Sequence, residues 1–423
     1  MGRTTRGLLA ALLLAACGAP HGDGRTDGGT GGDDAAPTDD ASPHPDALPG
    51  DSDGDGLRDD TEGRFDAGGP RDTDGDGTPD YQDTDSDDDS IPDADEGAAD
   101  WDADGEPNYT DPVNDGAPPE VLLTALTTPF NSPIGIDYHE PTDSVMISVN
   151  YPTGSPLNFE RVEANGDHQS YSTFSGLTDE VKIGTVRSGN VGGFVTGDLF
   201  VGNGVDGQIA RITDGGNTII NPWVDLTGDN NGLMRGGLHV DRTGLFGGDL
   251  LVSTAAGEVW RINSAGVAAP RLAAVGTHLE GAQIVPYAPA RYGPLAGMFI
   301  SGAEETGGLI YAVSPGGNVV SYNVGVNIED IDIINPKENF FGVNFGTSTL
   351  LGADHEQVLP MVGDILLTQE SPTGTGTGLF VLRWDGIQLY AQQIPLAAGS
   401  ATVGQWEHTT FAPAGIAEIP PVE

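Results

Sequence analysis

Twelve residues, DSDGDGLRDDTE (51–62), carry six acids around Gly56. Asp51, Asp53 and Asp55 occupy relative positions 1, 3 and 5, Asp59 position 9 and Glu62 position 12. Alternate carboxylates converge on one point only if the backbone turns sharply, and a glycine at position 6 permits that turn. With the carbonyl at position 7, the acids at 9 and 12 complete a shell of about six to eight oxygens, which suits Ca²⁺. Mg²⁺ fits less well, because it demands a tight octahedron and sheds water reluctantly. The pattern returns three times: Asp72, Asp74, Asp76, Asp80 and Asp83; Asp85, Asp87, Asp89, Asp93 and Glu96; Asp100, Asp102, Asp104, Asn108 and Asp111. Gly77 and Gly105 hold position 6 in the second and fourth copies, and Ser90 holds it in the third. A doubly charged cation turns mutual repulsion into coordination, and its binding supplies folding free energy. The bland alternative is a solvated acidic linker, which has no reason to keep the spacing four times.

The flanks decide between calcium modules. An EF-hand needs a helix on each side, yet ASPHPDALPG precedes Asp51, and Pro79, Pro92 and Pro107 stand at position 8 of their loops. Dockerin-type pairs fail on the same ground. The phrases DTDGDGTPDYQDTDSDDDSIPDADE and DADGEPNYTDP resemble thrombospondin type-3 repeats of the bacterial kind. The resemblance covers residues 51–112 and implies a calcium-packed stalk with little regular secondary structure, as in surface and adhesion proteins. Acting as a semi-rigid spacer, such a stalk presents whatever follows it.

The chain has 423 residues and a formal charge of −47. Residues 22–115 hold 32 acids against 4 Arg, a net −28, while residues 116–423 hold 32 acids against 11 Lys and Arg, a net −21. Nucleic acid is excluded as a partner, because phosphate binding needs clustered cations. Arg3 and Arg6 precede the apolar run Leu8–Ala16, too short to span a bilayer, and Leu14-Ala15-Ala16-Cys17 resembles a bacterial lipobox. The resemblance implies a signal peptide over 1–17, a lipid on Cys17, export, and residence at the outer membrane or cell surface; an ordinary secretory signal is the alternative. Cys17 is the sole cysteine, so no disulfide framework is available. Residues 18–50 hold few branched or aromatic side chains and read as a disordered tether between the anchor and the repeats of 51–115.

From residue 120 to 423 the composition changes to apolar strands broken by glycine-rich turns. TGDLFVGN, GGDLLVST, AGMFISGA and VGDILLTQ each precede a second strand closing on a turn, such as GQIARITDGG or GEVWRINSAG. Four-strand units recurring about every fifty residues predict a mainly β fold, a β-propeller. A β-sandwich predicts no such repetition. Opening strands near 134, 181, 236, 281, 330 and 408 give six blades, with five as the alternative, and 120–127 is expected to pair with the last opening strand. ENFFGVNFGTSTLLGADHEQVLP reads as an insertion in the fifth unit. The text RGGLHVDRTGLFGGDLLVST resembles six-bladed propellers of the NHL and gluconolactonase-like families, in architecture only.

Aligning the openings places Ser132, Asp179, Arg235, Glu280, Glu329 and Glu407 at one level of the axis. Gathered carboxylates hold either a proton or a cation. Gluconolactonase-like propellers hold a divalent ion there, so a metal-dependent hydrolase with His239, His278 or His408 as base is one reading. The other treats these acids as structural and the head as a binding or adhesion module for a protein or glycan ligand.

Overall fold

The computed structural model describes residues 50–150, 157–177, 180–228, 230–303, 307–370 and 376–413. Cys17, the expected tether up to residue 49 and Asp179 lie outside them. The described residues form six four-stranded antiparallel sheets. Blade 1 comprises Pro133–His139, Ser144–Val149, Phe159–Val162 and His168–Ser170. Blade 2 runs from Ile183–Thr185 outward to Thr218–Asp225, blade 3 from Gly237–Val240 to Ala273–Ala274, and blade 4 from Leu279–Ile284 to Val319–Asn323. Blade 5 opens with Ile328–Ile333, and the last blade with Trp406–Pro413 as its inner strand. The inner strands neighbour one another in ring order and return to blade 1. The fold is a six-bladed β-propeller.

Closure is more interlocked than the sequence suggests. After the inner strand of blade 5 the chain leaves to build Glu338–Asn344 and Thr349–Ala353, the two middle strands of blade 6. It then returns for Ile365–Gln369, Gly378–Trp384 and Leu389–Gln393, completing blade 5. The segment expected as an insertion is therefore half of another blade. Thr124–Ala125 joins blade 6 as expected, but on its outer edge against Gly352 and Leu351, not beside the opening strand. Phe340, Trp406 and Phe411 pack edge-on across this closure.

The repeated Gly-Asp has a packing role. Asp198, Asp249 and Asp364 each accept from an arginine on the third strand of their blade: Arg211 Nε at 2.7 Å, Arg261 Nε at 3.0 Å and Arg383 Nε at 2.8 Å. In blade 4 Met298 stands where the aspartate would be, before a buried, apolar Phe299–Ala303 strand. Inner strands touch through glycine: a Cβ on Gly135 would lie 2.4 Å from Val181 O, and one on Gly184 2.5 Å from Leu238 O. No side chain fits there, so glycine sets the close approach of blades 1, 2 and 3.

The acidic repeats are irregular, as expected, with only single helical turns at Asp80–Gln82, Asp93–Glu96 and Asn108–Thr110. They do not project as a free spacer. They belong to the same compact unit as the propeller. Ile91 is buried among Val358, Met361, Val362 and Leu366, a burial that contributes about 2 kcal/mol. Arg291, on the short helix Pro289–Tyr292, forms a buried ion pair with Asp89 and donates to Val362 O at 2.8 Å. Asn114 Nδ2 reaches the same carbonyl at 3.3 Å. The repeats also fold back on themselves, since Tyr109 Oη donates to Thr61 O at 3.0 Å. The stalk reading is corrected accordingly: the third loop is anchored in the propeller rim.

Candidate metal centre and the propeller axis

In all four loops the carboxylate at position 5 accepts from the backbone N at position 7, and the first and fourth loops share further bonds at position 1. In the first, Asp51 accepts from Gly54 N at 2.7 Å and Gly56 N at 3.2 Å, and Asp55 accepts from Leu57 N at 2.7 Å. In the fourth, Asp100 accepts from Ala103 N at 2.7 Å and Gly105 N at 3.1 Å, and Asp104 accepts from Glu106 N at 2.8 Å. Each backbone turns left-handed at position 6: φ is 101° at Gly56 and Gly77, 106° at Gly105 and 81° at Ser90. Serine thus adopts the glycine geometry, and the third loop keeps its shape. In every loop the acids at positions 1, 3 and 5 present an oxygen each, all within 4.8 Å of one another.

Positions 9 and 12 divide the labour. The ninth side chain clamps the second residue. Asp80 accepts from Thr73 N and Oγ1, both at 2.8 Å. Asp93 accepts from Ser86 N at 2.9 Å and Oγ at 2.7 Å, Asn108 from Trp101 N at 2.9 Å, and Asp59 from Ser52 Oγ at 3.1 Å. The twelfth turns inward: Glu62, Glu96 and Asp111 are buried, and Glu62 meets Asp55 of its own loop and Asp93 of the third. Asp83 is half-buried. Both carboxylate oxygens of Glu62 and of Glu96 are buried and make no hydrogen bond, as do Oδ2 of Asp53, Asp55, Asp87 and Asp111.

Buried acceptors without donors are costly. Burial, reinforced by Asp53 and Asp55, pushes Glu62 up to about 9. Burial together with Asp89 and Asp87 pushes Glu96 up to about 11, and burial with Asp89 pushes Asp87 up to about 8. A hard cation fits this donor set: oxygen-only, anionic and inward-facing. The third loop already has one protein cation, Arg291 on Asp89.

At the propeller axis, Glu280, Glu329 and Glu407 do converge at the starts of their inner strands. What they surround is Lys182, which is fully buried. Its Nζ lies 2.6 Å from Glu329 Oε1, 3.5 Å from Glu280 Oε2, 3.6 Å from Glu180 Oε1 and 3.8 Å from Glu407 Oε2. Burial disfavours the ammonium, but the attraction of Glu280, Glu329, Glu180 and Glu407 outweighs it and holds the lysine pKa well above its ordinary value. Burial drives the carboxyls of Glu280 and Glu407 upward from their ordinary range. Arg235 lies 3.5 Å from Glu180, and His278 Nε2 2.9 Å from Glu280 Oε1. Ser132 serves the turn into blade 1, with φ of 52° and its carbonyl accepting from Asn150 N at 3.1 Å.

Sequence reasoning missed Lys182. Lys182 and Lys337 are the only lysines in the chain, and one inside an opening strand, EVKIGT, was the available signal. His239 and His408 are not beside these carboxylates as expected. His408 follows Glu407, and adjacent strand residues face opposite ways. Both histidines line a cavity of about 760 Å³ toward the other ends of the inner strands. Its walls include Asp137, Arg187, Arg242, Asp330, Asp332 and Glu338. Asp137 bridges blades, accepting from Thr185 N at 2.7 Å and Thr185 Oγ1 at 2.9 Å. Arg187 donates to Glu338 Oε1 at 2.9 Å and lies over the Tyr138 ring at 4.9 Å.

These features define a six-bladed propeller carrying a docked acidic-loop module. No family model matches the chain, and no curated protein matches it. Among solved structures, it is similar to one described as a nidogen/laminin complex, at 10% identity and TM-score 0.43, over 69% of this chain and 98% of that one. It is similar to an auxiliary nutrient binding protein from Bacteroides ovatus at 9% identity and TM-score 0.37, over 54% of this chain and 60% of that one. YCF48 from Cyanidioschyzon merolae matches at 10% identity and TM-score 0.37, over 64% of this chain and 74% of that one.

Proposed function

We propose that the protein is an exported, lipid-anchored calcium-binding protein of the bacterial outer membrane or cell surface, whose propeller is a binding or adhesion module for a protein or glycan ligand. Residues 51–112 act in this reading as thrombospondin type-3-like repeats, with Ca²⁺ held by the acids at positions 1, 3, 5 and 12. Cys17 carries the lipid, and residues 18–50 supply the reach. The observation that carries the calcium assignment is the pair Glu62 and Glu96, whose four buried oxygens make no hydrogen bond. Calcium would compensate them where the chain offers no donor.

The loops then act as a metal-set clasp on the rim. Because Ile91 and Asp89 stand at positions 7 and 5 of the third loop, the residues that shape its cation site are those that dock on the propeller. The axial hydrolase reading loses support on physical grounds. A divalent ion among Glu280, Glu329 and Glu407 would have to share the space with the Lys182 ammonium. Limited proteolysis in calcium and in chelator tests the assignment: cleavage within 51–112 should appear only in chelator. Equal resistance in both would refute it. Screening the calcium-loaded protein against cell surfaces and a glycan array tests the role of the head.

A further inference from the structure

We propose that His408, Asp330 and Asp332 form a divalent-cation site of the zinc class in the wall of the axial cavity, apart from the acidic loops. His408 is 5% exposed, and its Nε2 is buried without a hydrogen bond. The atom it faces is Asp330 Oδ1, 3.4 Å away. Zinc–nitrogen and zinc–oxygen bonds of about 2.0–2.2 Å in a tetrahedron set neighbouring ligand atoms roughly 3.3 Å apart. That separation suits an edge of a coordination shell and is long for a charge-assisted hydrogen bond.

The carboxylates are already oriented for the task. Thr409 N donates to Asp330 Oδ2 at 2.7 Å, and Thr409 Oγ1 lies 2.8 Å from Asp332 Oδ2. Both Oδ2 atoms are thereby fixed, and Asp330 Oδ1 is the atom turned toward His408. Such hydrogen bonds behind the ligands are what position carboxylates in metal sites. Asp330 and Asp332 share one face of their strand, and His408 comes from the adjoining inner strand of blade 6. All three line the cavity, so the remaining coordination position would open into it. One nitrogen and two oxygens suit zinc-class ions, whereas the loops offer oxygen alone.

The test uses the full chain saturated with Ca²⁺ and titrated with Co²⁺ as a spectroscopic substitute for zinc. One equivalent should bind with visible d–d bands and one set of paramagnetically shifted imidazole resonances, and Zn²⁺ should displace it. His408→Gln should abolish the imidazole signal. Asp332→Asn should weaken cobalt binding by more than about tenfold, and Thr409→Val by about 10–100-fold, with the calcium-dependent thermal shift retained. Asp332 is half-buried, so that variant decides the matter even if His408→Gln does not fold. A wild-type protein that shows no shifted imidazole, or equal cobalt binding in wild type and Asp332→Asn, would reduce the trio to an ordinary His–Asp contact and overturn the proposal.

Discussion

The acidic loops and the propeller axis pose the same problem and answer it differently. Both bring carboxylates together out of water. At the axis the chain supplies its own cation, Lys182, within 4 Å of four glutamates. In the loops it supplies few: Arg64 beside Asp59, Arg71 beside Asp80 and Arg291 beside Asp89. Glu62 and Glu96 are left with oxygens that no donor reaches. Converging acids alone therefore do not identify a metal site. What separates the two regions is whether a protein cation pairs with the buried oxygens that lack hydrogen bonds, as Lys182 does with Glu280 and Glu407 and none does with Glu62 or Glu96 among the described residues.

That contrast yields measurable differences. The largest effect is expected from calcium itself. With affinities near 10⁻³ M, about 10 mM Ca²⁺ contributes roughly 1.4 kcal/mol per loop, so about 6 kcal/mol over the four. Thermal unfolding in calcium and in chelator should show this as a large loss of stability confined to the loops and the rim they clasp.

Next comes Lys182→Met, which leaves buried carboxylates without their cation and should cost about 3–5 kcal/mol whether or not calcium is present. Calcium-independence is the informative part. Should millimolar calcium rescue the variant, the axis would be a latent metal site and the contrast would fail. Arg291→Met should cost about 3 kcal/mol in chelator and distinctly less in calcium, because a bound ion can take over the charge of Asp89. An identical cost in both conditions would uncouple the third loop from metal.

The pH dependence has a definite sign. In the metal-free protein Glu62, Glu96 and Asp87 sit at about 9, 11 and 8, above the values near 4 of an unfolded chain. The folded state then binds more protons, so stability falls as pH rises from about 4 toward 11. The metal-free melting temperature should be higher at about pH 5 than at about pH 8. In saturating calcium the order should reverse, since protons then compete with the ion. The smallest effect is Ser90→Gly, which relieves an L-residue at φ 81° and should stabilise the loaded protein by about 1 kcal/mol.

Much of this was legible in the sequence, and what was not has a physical reason. The loops and the blade count are local features: a turn at Gly56, or a strand such as GGDLLVST with the strand after it, is written within a short stretch of chain. Glu280, Glu329 and Glu407 were placed at one level because blade periodicity fixes where each inner strand begins. Lys182 escaped notice because its meaning depends on glutamates from three other blades. The exchange of strands between blades 5 and 6 looked like an insertion because apolar strands carry no label of the sheet they join. The docking of Asp89 on Arg291 joins residues 202 apart, and no spacing announces it.

Isothermal titration of Ca²⁺ into the chelator-stripped full chain is the most direct test of the central claim. Heat of binding for more than one ion is expected at or below millimolar concentration, diminished when Glu62 and Glu96 are changed to Gln. Absence of heat up to several millimolar, or a titration unaffected by that double substitution, would contradict it.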